Sequence, residues 1–148
     1  MDKVNVEGVL LTPLKKIHHP KGDVFHGMKK SDAGFSGFGE AYFSTINFED
    51  TKPWKKHLEM TLNFVVPIGE IRFVIFDDRK GSSTESNFFD VTLGENNYQR
   101  ITIPPGVWVA FSGVGSAYNL LLNLANLEHN PNEVERKENL SEIVYNWE

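Results

Sequence analysis

Two apolar runs hold the middle of the chain, Leu62-Asn63-Phe64-Val65-Val66 and Ile71-Arg72-Phe73-Val74-Ile75-Phe76, joined through Pro67-Ile68-Gly69. Both are rich in β-branched and aromatic residues and too short for a buried helix. They predict strands at about 58–66 and 70–77 flanking a tight turn. Two strands cannot cover their own apolar surface, so the rest of the chain must supply more sheet. It does so at intervals of roughly 8–12 residues, the spacing of a sandwich or barrel. Residues 40–48 (EAYFSTINF), 88–93 (FFDVTL), 98–103 (YQRITI), 107–112 and 117–127 read as strands, with Pro104-Pro105-Gly106 as a sharp stop. Pro13 splits the strand pattern of residues 1–17, and residues 18–39 read as loops around a short strand at Asp23–Met28. Residues 49–56 read as a polar turn and 78–87 as a loop. The acidic tail, 128–148, holds a short helix around Pro131–Lys137, with Tyr145 and Trp147 as a docking anchor. About nine or ten short strands predict an all-β chain.

A length of 148 residues suits one domain over 1–148. The chain has no cysteine, which excludes disulfides, thiolate chemistry and cysteine zinc sites and fits a reducing compartment. Its net charge of -5 argues against nucleic acid as a partner. The first residues, MDKVNVEGVLLTPLKK, lack the apolar stretch of a signal peptide, and no window has the apolar length of a membrane span. The expectation is a soluble cytoplasmic protein with no membrane partner.

The ionisable cluster before the first central strand is the candidate site. Lys52, Lys55 and Lys56 lead into His57, and a histidine beside cations on a rigid strand is suited to be a base. With a period of two, Glu40, Tyr42, Ser44 and Ile46 share one face, too polar for plain core and suited to a cavity wall. On 117–127, Asn119, Leu121, Asn123 and Ala125 share a face. Two amides there line a cavity or pair with neighbouring strands, since buried polar groups need partners. Arg72 points either into the barrel or to solvent. His18, His19 and His26 lack the spaced carboxylate that would complete a metal cage, so no metal is expected.

The segment VVPIGEIRFVIFDDRKGSST, followed a strand's length later by ITIPPGVWVAF, resembles the cupin-type sugar-nucleotide epimerases of the dTDP-4-dehydrorhamnose 3,5-epimerase family. Gly69-Glu70, Asp78, Arg79, Ser82 or Ser83, and Thr84 match that family's G-E-V-x-x-V-x-D-x-R-x-x-S-x-T block. Ile103-Pro104-Pro105-Gly106 through Phe111 matches its I-P-x-G-x-x-H-G-F block. The likeness covers residues 40–126 and implies a cupin-like jelly-roll β-barrel, commonly a homodimer. The activity it implies is proton abstraction beside the ketone of a nucleotide-linked 4-keto-6-deoxy sugar, without metal or cofactor, in surface-polysaccharide or deoxysugar biosynthesis. It puts the base at His57 and its orienting carboxylate in ERKENLSE, where Glu138 is the candidate. It also puts Lys52, Lys55 and Lys56 where the family holds the diphosphate with arginine.

The chain departs from the family at three positions. The catalytic tyrosine falls at Asn123, the enolate-stabilising lysine near Thr61–Leu62, and the histidine of the third block at Val109. Tyr118 and Tyr42 are the tyrosines left to supply an acid. Tyr118 is taken for that role, with Glu40, Tyr42, Arg72, Asn119 and Asn123 as substrate contacts. Two readings stand: an epimerase or isomerase, favouring single-centre epimerisation or keto-isomerisation, and a catalytically reduced cupin that only binds a nucleotide sugar.

Overall fold

The structure, a computed structural model, describes residues 4–148. Its strands are β1 (Leu10–Pro13), β2 (Lys16–Ile17), β3 (Val24–Phe25), β4 (Glu40–Thr45), β5 (Thr51–His57), β6 (Leu62–Ile68), β7 (Glu70–Phe76), β8 (Phe88–Gly94), β9 (Gln99–Ile103), β10 (Trp108–Gly113), β11 (Leu120–Ala125) and β12 (Val134–Lys137). They form two five-stranded sheets, ordered β1-β9-β6-β11-β4 and β12-β5-β10-β7-β8, with β2-β3 as a small separate hairpin. Every pairing between strands is antiparallel. From β4 onwards the chain changes sheet at each connection except β7 to β8. The result is the jelly-roll sandwich that the family resemblance implies.

The turn at Pro67-Ile68-Gly69 is a corner between the two sheets. β6 pairs with β9 and β11, while β7 pairs with β10 and β8. Gly69 has φ +80°, and a Cβ there would lie 2.3 Å from Asn119 Oδ1, so the corner admits only glycine. Between the sheets Phe64, Ile71, Phe73, Ile75, Ile101 and Leu121 form the main core.

Of residues 49–56, expected as a turn, only 49–50 turn, because β5 occupies 51–56. Its lysines hide the strand pattern, since each has a polar destination of its own. The ladder to β10 pairs Val109 with Lys55 but Phe111 with Lys52, so β5 carries one extra residue between them, a β-bulge at Pro53-Trp54. A bulge is where proline is tolerated away from a sheet edge. It also changes the alternation, so that Lys52 joins Lys55 and His57 on the inner side. Trp54 turns outward and is fully buried.

The tail accounts for that burial. Leu140, Ile143, Tyr145 and Trp147 pack with Trp54, Val74, Trp108 and Ala110 on the outer face of the second sheet. Trp54 Nε1 donates to the Leu140 carbonyl at 2.9 Å. The helix expected around Pro131–Lys137 shrinks to one 3₁₀ turn, Pro131–Glu133, capped by the Asn130 side chain. β12 follows as the edge strand against β5. At an edge of the first sheet, β4 presents Phe43, 67 % exposed, beside Leu122 of β11.

Candidate functional site

The inner faces of both sheets enclose a cavity of about 140 Å³ on the β4–β5 side. The second sheet contributes Lys52, Lys55 and His57 from β5, with Val109 and Phe111 from β10. The first contributes Tyr42 and Ser44 from β4, with Leu62, Phe64 and Leu121 behind them. A more open hollow of about 210 Å³ adjoins it, sharing Lys52 and Lys55 and adding Arg136 and Glu138.

His57 is the ordered centre of this wall. Its Nδ1 lies 2.5 Å from Glu133 Oε1. The other oxygen of that carboxylate accepts the N–H groups of Glu59 and Met60, each at 3.2 Å. Burial alone would push the Glu133 carboxyl up. The hydrogen bonds from His57 and from the two N–H groups, with the attraction of His57, outweigh burial and hold the carboxyl below the usual carboxylate range. An ionised Glu133 accepts the Nδ1 proton, so that in the neutral imidazole it is Nε2 that carries no proton.

Glu133 therefore stands where Glu138 was expected. The 3₁₀ turn tucks Glu133 under β5, while Glu138 is exposed beside the outer hollow. The sequence signal available was Asn130-Pro131, a cap and a helix start two residues before the carboxylate.

The lysines separate. Lys52 Nζ donates to Ser44 Oγ at 3.0 Å and to the Thr45 carbonyl at 2.8 Å, across the gap between the sheets. Lys55 stands directly opposite Arg136 in the β5–β12 ladder, two cations on one face. The protein around the Lys55 ammonium, then Arg136 and Lys52, hold its pKa below the ordinary lysine value, with Glu138 pulling the other way. Lys56 alternates to the outer face, where it pairs with Asp78 at 2.7 Å and lies over the Trp108 ring.

The other expected contacts have other partners. Tyr118 is 55 % exposed, outside the cavity lining, because the strand begins only at Leu120. Asn119 is consumed at the sheet corner, accepting from Glu70 N–H and donating to the Ile46 and Gly115 carbonyls. Arg72 points to the outer face and holds the tail, bonding Asp90 and the Trp147 carbonyl. Glu40 begins β4 opposite Ala125, away from the lining. Asn123 and Tyr42, directly opposed on β11 and β4, are bonded to each other, the amide donating to the Tyr42 hydroxyl at 3.0 Å. His18 bonds Asp23 beside the β2–β3 hairpin. Among the described residues no group of three or more His, Asp or Glu side chains is arranged to hold a metal ion.

The recognisable Asp-x-Arg-x-x-Ser-x-Thr block lies outside the cavity. Its aspartate is Asp77, fully buried, rather than Asp78. Asp77 accepts from Arg79, Ser82 and Thr84. Burial opposes ionisation here, but the Arg79, Thr84 and Ser82 hydrogen bonds prevail and hold the carboxyl far below its usual range. The knot also binds the N-terminal segment, since Arg79 donates to the Glu7 carbonyl.

No family model matches the chain. A dTDP sugar isomerase from Desulfovibrio desulfuricans G20 has a TM-score of 0.92 at 37 % identity, over 97 % of this chain and 92 % of that one. A probable low-salt glycan biosynthesis epimerase of Haloferax volcanii is 36 % identical over 84 residues, 56 % of this chain. The match takes in 54 % of that protein, so the chain spans about half the length of this curated relative. A 3′-monoepimerase from Streptomyces bikiniensis, solved in complex with dTDP-quinovose, shares the fold, with a TM-score of 0.82 at 13 % identity over 92 % of this chain and 72 % of that one.

Proposed function

The chain belongs to the cupin-type family of dTDP-sugar isomerases and epimerases, and from that premise we propose that it epimerises or isomerises a nucleotide-linked 4-keto-6-deoxy sugar for deoxysugar or polysaccharide synthesis. The observation that carries the reading is the His57–Glu133 pair in the cavity wall. A C–H beside a ketone is acidic only if the enolate is stabilised, so the site needs a fixed base and a cation near the ketone oxygen. His57 offers Nε2 as the base, with Glu133 holding the tautomer. Lys52, brought inside by the bulge, is the cation available to the enolate oxygen. Lys55 and Arg136 suit the diphosphate. Like charges directly opposed across a ladder are destabilising, and an anion bound between them removes that cost.

A homodimer is proposed over the exposed face of β4 and β11, where Phe43 and Leu122 meet. A nucleotide-sugar substrate is the ground for proposing a cytoplasmic location. Phe43→Glu is expected to turn a dimer into a monomer in analytical ultracentrifugation, and a monomeric parent protein would refute that part.

The test of the reaction is incubation with dTDP-4-keto-6-deoxyglucose in deuterated water. Deuterium is expected at the carbon beside the ketone, and His57→Gln is expected to abolish it. A parent protein that incorporates no label from the dTDP-, GDP- or CDP-linked sugar would leave the purely binding cupin as the better reading.

A further inference from the structure

We propose that Tyr42 is a catalytic residue, the acid that returns a proton to the sugar from the wall opposite His57, and that Asn123 is its positioning residue. The proposal rests on the function above and adds the second proton-transfer group that an inversion needs.

Tyr42 and His57 line one cavity from different sheets, Tyr42 on β4 of the first and His57 on β5 of the second. A substrate between them meets a base on one side and a phenol on the other. The phenol is held in a defined way. Asn123 is fully buried, and its Oδ1 accepts the Asn63 N–H at 3.4 Å. That bond fixes the amide orientation, so Nδ2 is the end that faces Tyr42. An oxygen that already accepts from Asn123 keeps its own O–H proton free to donate elsewhere, and the cavity is the space it lines. After transfer, the same amide N–H supports the negative phenolate oxygen. The direct cross-strand pairing of Asn123 with Tyr42 makes this exchange possible. Tyr42 is itself 44 % exposed and Tyr118 55 %, but Tyr42 alone of the two lines the cavity and is held by a buried amide.

The step balances within the protein. His57 Nε2 takes the proton from the carbon beside the ketone, and the C–H electron pair moves into the enolate. The enolate carbon then takes the Tyr42 hydroxyl proton on its opposite face, which restores the ketone with inverted configuration. Solvent removes one proton from His57 and returns one to Tyr42.

The experiment separates deuterium wash-in from net inversion, with dTDP-4-keto-6-deoxyglucose as the probe. Tyr42→Phe keeps the ring and loses only the acid. Its turnover is expected to fall about 100-fold or more, while label still enters at the same carbon through His57 at close to the parent rate. Turnover retained in Tyr42→Phe would overturn the proposal and leave the His57 reading intact. Equal loss of turnover and wash-in would also overturn it, because Tyr42 would then serve binding or abstraction. No wash-in by the parent protein would instead sink the underlying function. Asn123→Ala is expected to lower kcat with KM little changed, and to have no further effect in the Tyr42→Phe background. An added loss in the double variant would show Asn123 to be merely structural and overturn its part.

Discussion

The two faces of the β5–β12 ladder are built on opposite electrostatic plans. On the outer face Lys56 stands opposite Glu135, bonds Asp78, and lies over Trp108. Glu135, Asp78 and the ring each offset its charge, and the ring is shared with Lys137. On the inner face Lys55 stands opposite Arg136, with Lys52 nearby, and Glu138 partly offsets them, Lys55, Arg136 and Glu138 all being exposed. Residues one position apart thus have opposite fates. The Asp77 knot follows the outer plan, with Arg79, Ser82 and Thr84 all converging on one buried carboxylate. Charges that are paired within the chain hold it together, whereas charges left facing one another at a cavity suit a ligand of opposite sign.

The sharpest attempt to break this contrast is at the base. Glu133→Gln removes the anion that orients His57, and kcat is expected to fall about 10³-fold, the range of a general base deprived of its function, with the fold retained by circular dichroism. Next in size is the knot. Asp77→Ala leaves a guanidinium and two hydroxyls without their acceptor and is expected to cost about 3 kcal/mol in urea unfolding, with unchanged turnover per folded molecule. Arg136→Glu converts the inner face to the outer plan. Nucleotide-sugar affinity is expected to fall about 10-fold or more while the melting temperature stays level or rises slightly. Weaker binding without the stability effect would still leave the anion site standing, but unchanged binding would remove it. Lys56→Ala should be the mildest, within about 1 kcal/mol of stability and without effect on KM.

The same groups set the acid limit. Asp77 and Glu133 both have folded-state pKa values depressed below their ordinary ones. The unfolded chain then binds protons first. Their contribution is complete above the ordinary carboxylate pKa of about 4 and is lost as pH falls below it towards the depressed values. Acid titration of stability in the Asp77→Ala variant should show a shallower decline there than in the parent protein.

Much of the scaffold is legible in the sequence because period and composition agree. β6 to β10 are apolar or β-branched, and glycine or proline marks most of their ends, so burial and propensity point the same way. β5 is not legible, because a bulge breaks its alternation and its charges imitate a turn. Nor can sequence spacing decide between Glu133 and Glu138, which differ by a single 3₁₀ turn and the strand after it. Tyr118 and Asn119 precede β11, so Tyr118 stays exposed while the buried Asn119 is spent on the sheet corner and not on the cavity. The Gly69–Thr84 block is the most recognisable part of the chain, and its aspartate serves the knot rather than the cavity. The pairing of Asn123 with Tyr42 depends on which strands become neighbours, which only the assembled sheet reveals.

The opposition of Lys55 and Arg136 has a consequence for the order of events at the site. The two cations repel each other on the strand that begins one residue after Glu133. An anion held between them, as proposed for the diphosphate, would offset that repulsion and favour the pairing of β12 with β5, next to the carboxylate bonded to His57. Binding of the diphosphate and ordering of the base would then be linked in one free energy. Amide hydrogen exchange in Val134–Lys137 should slow when a nucleotide diphosphate alone is bound, before any sugar reaches the cavity.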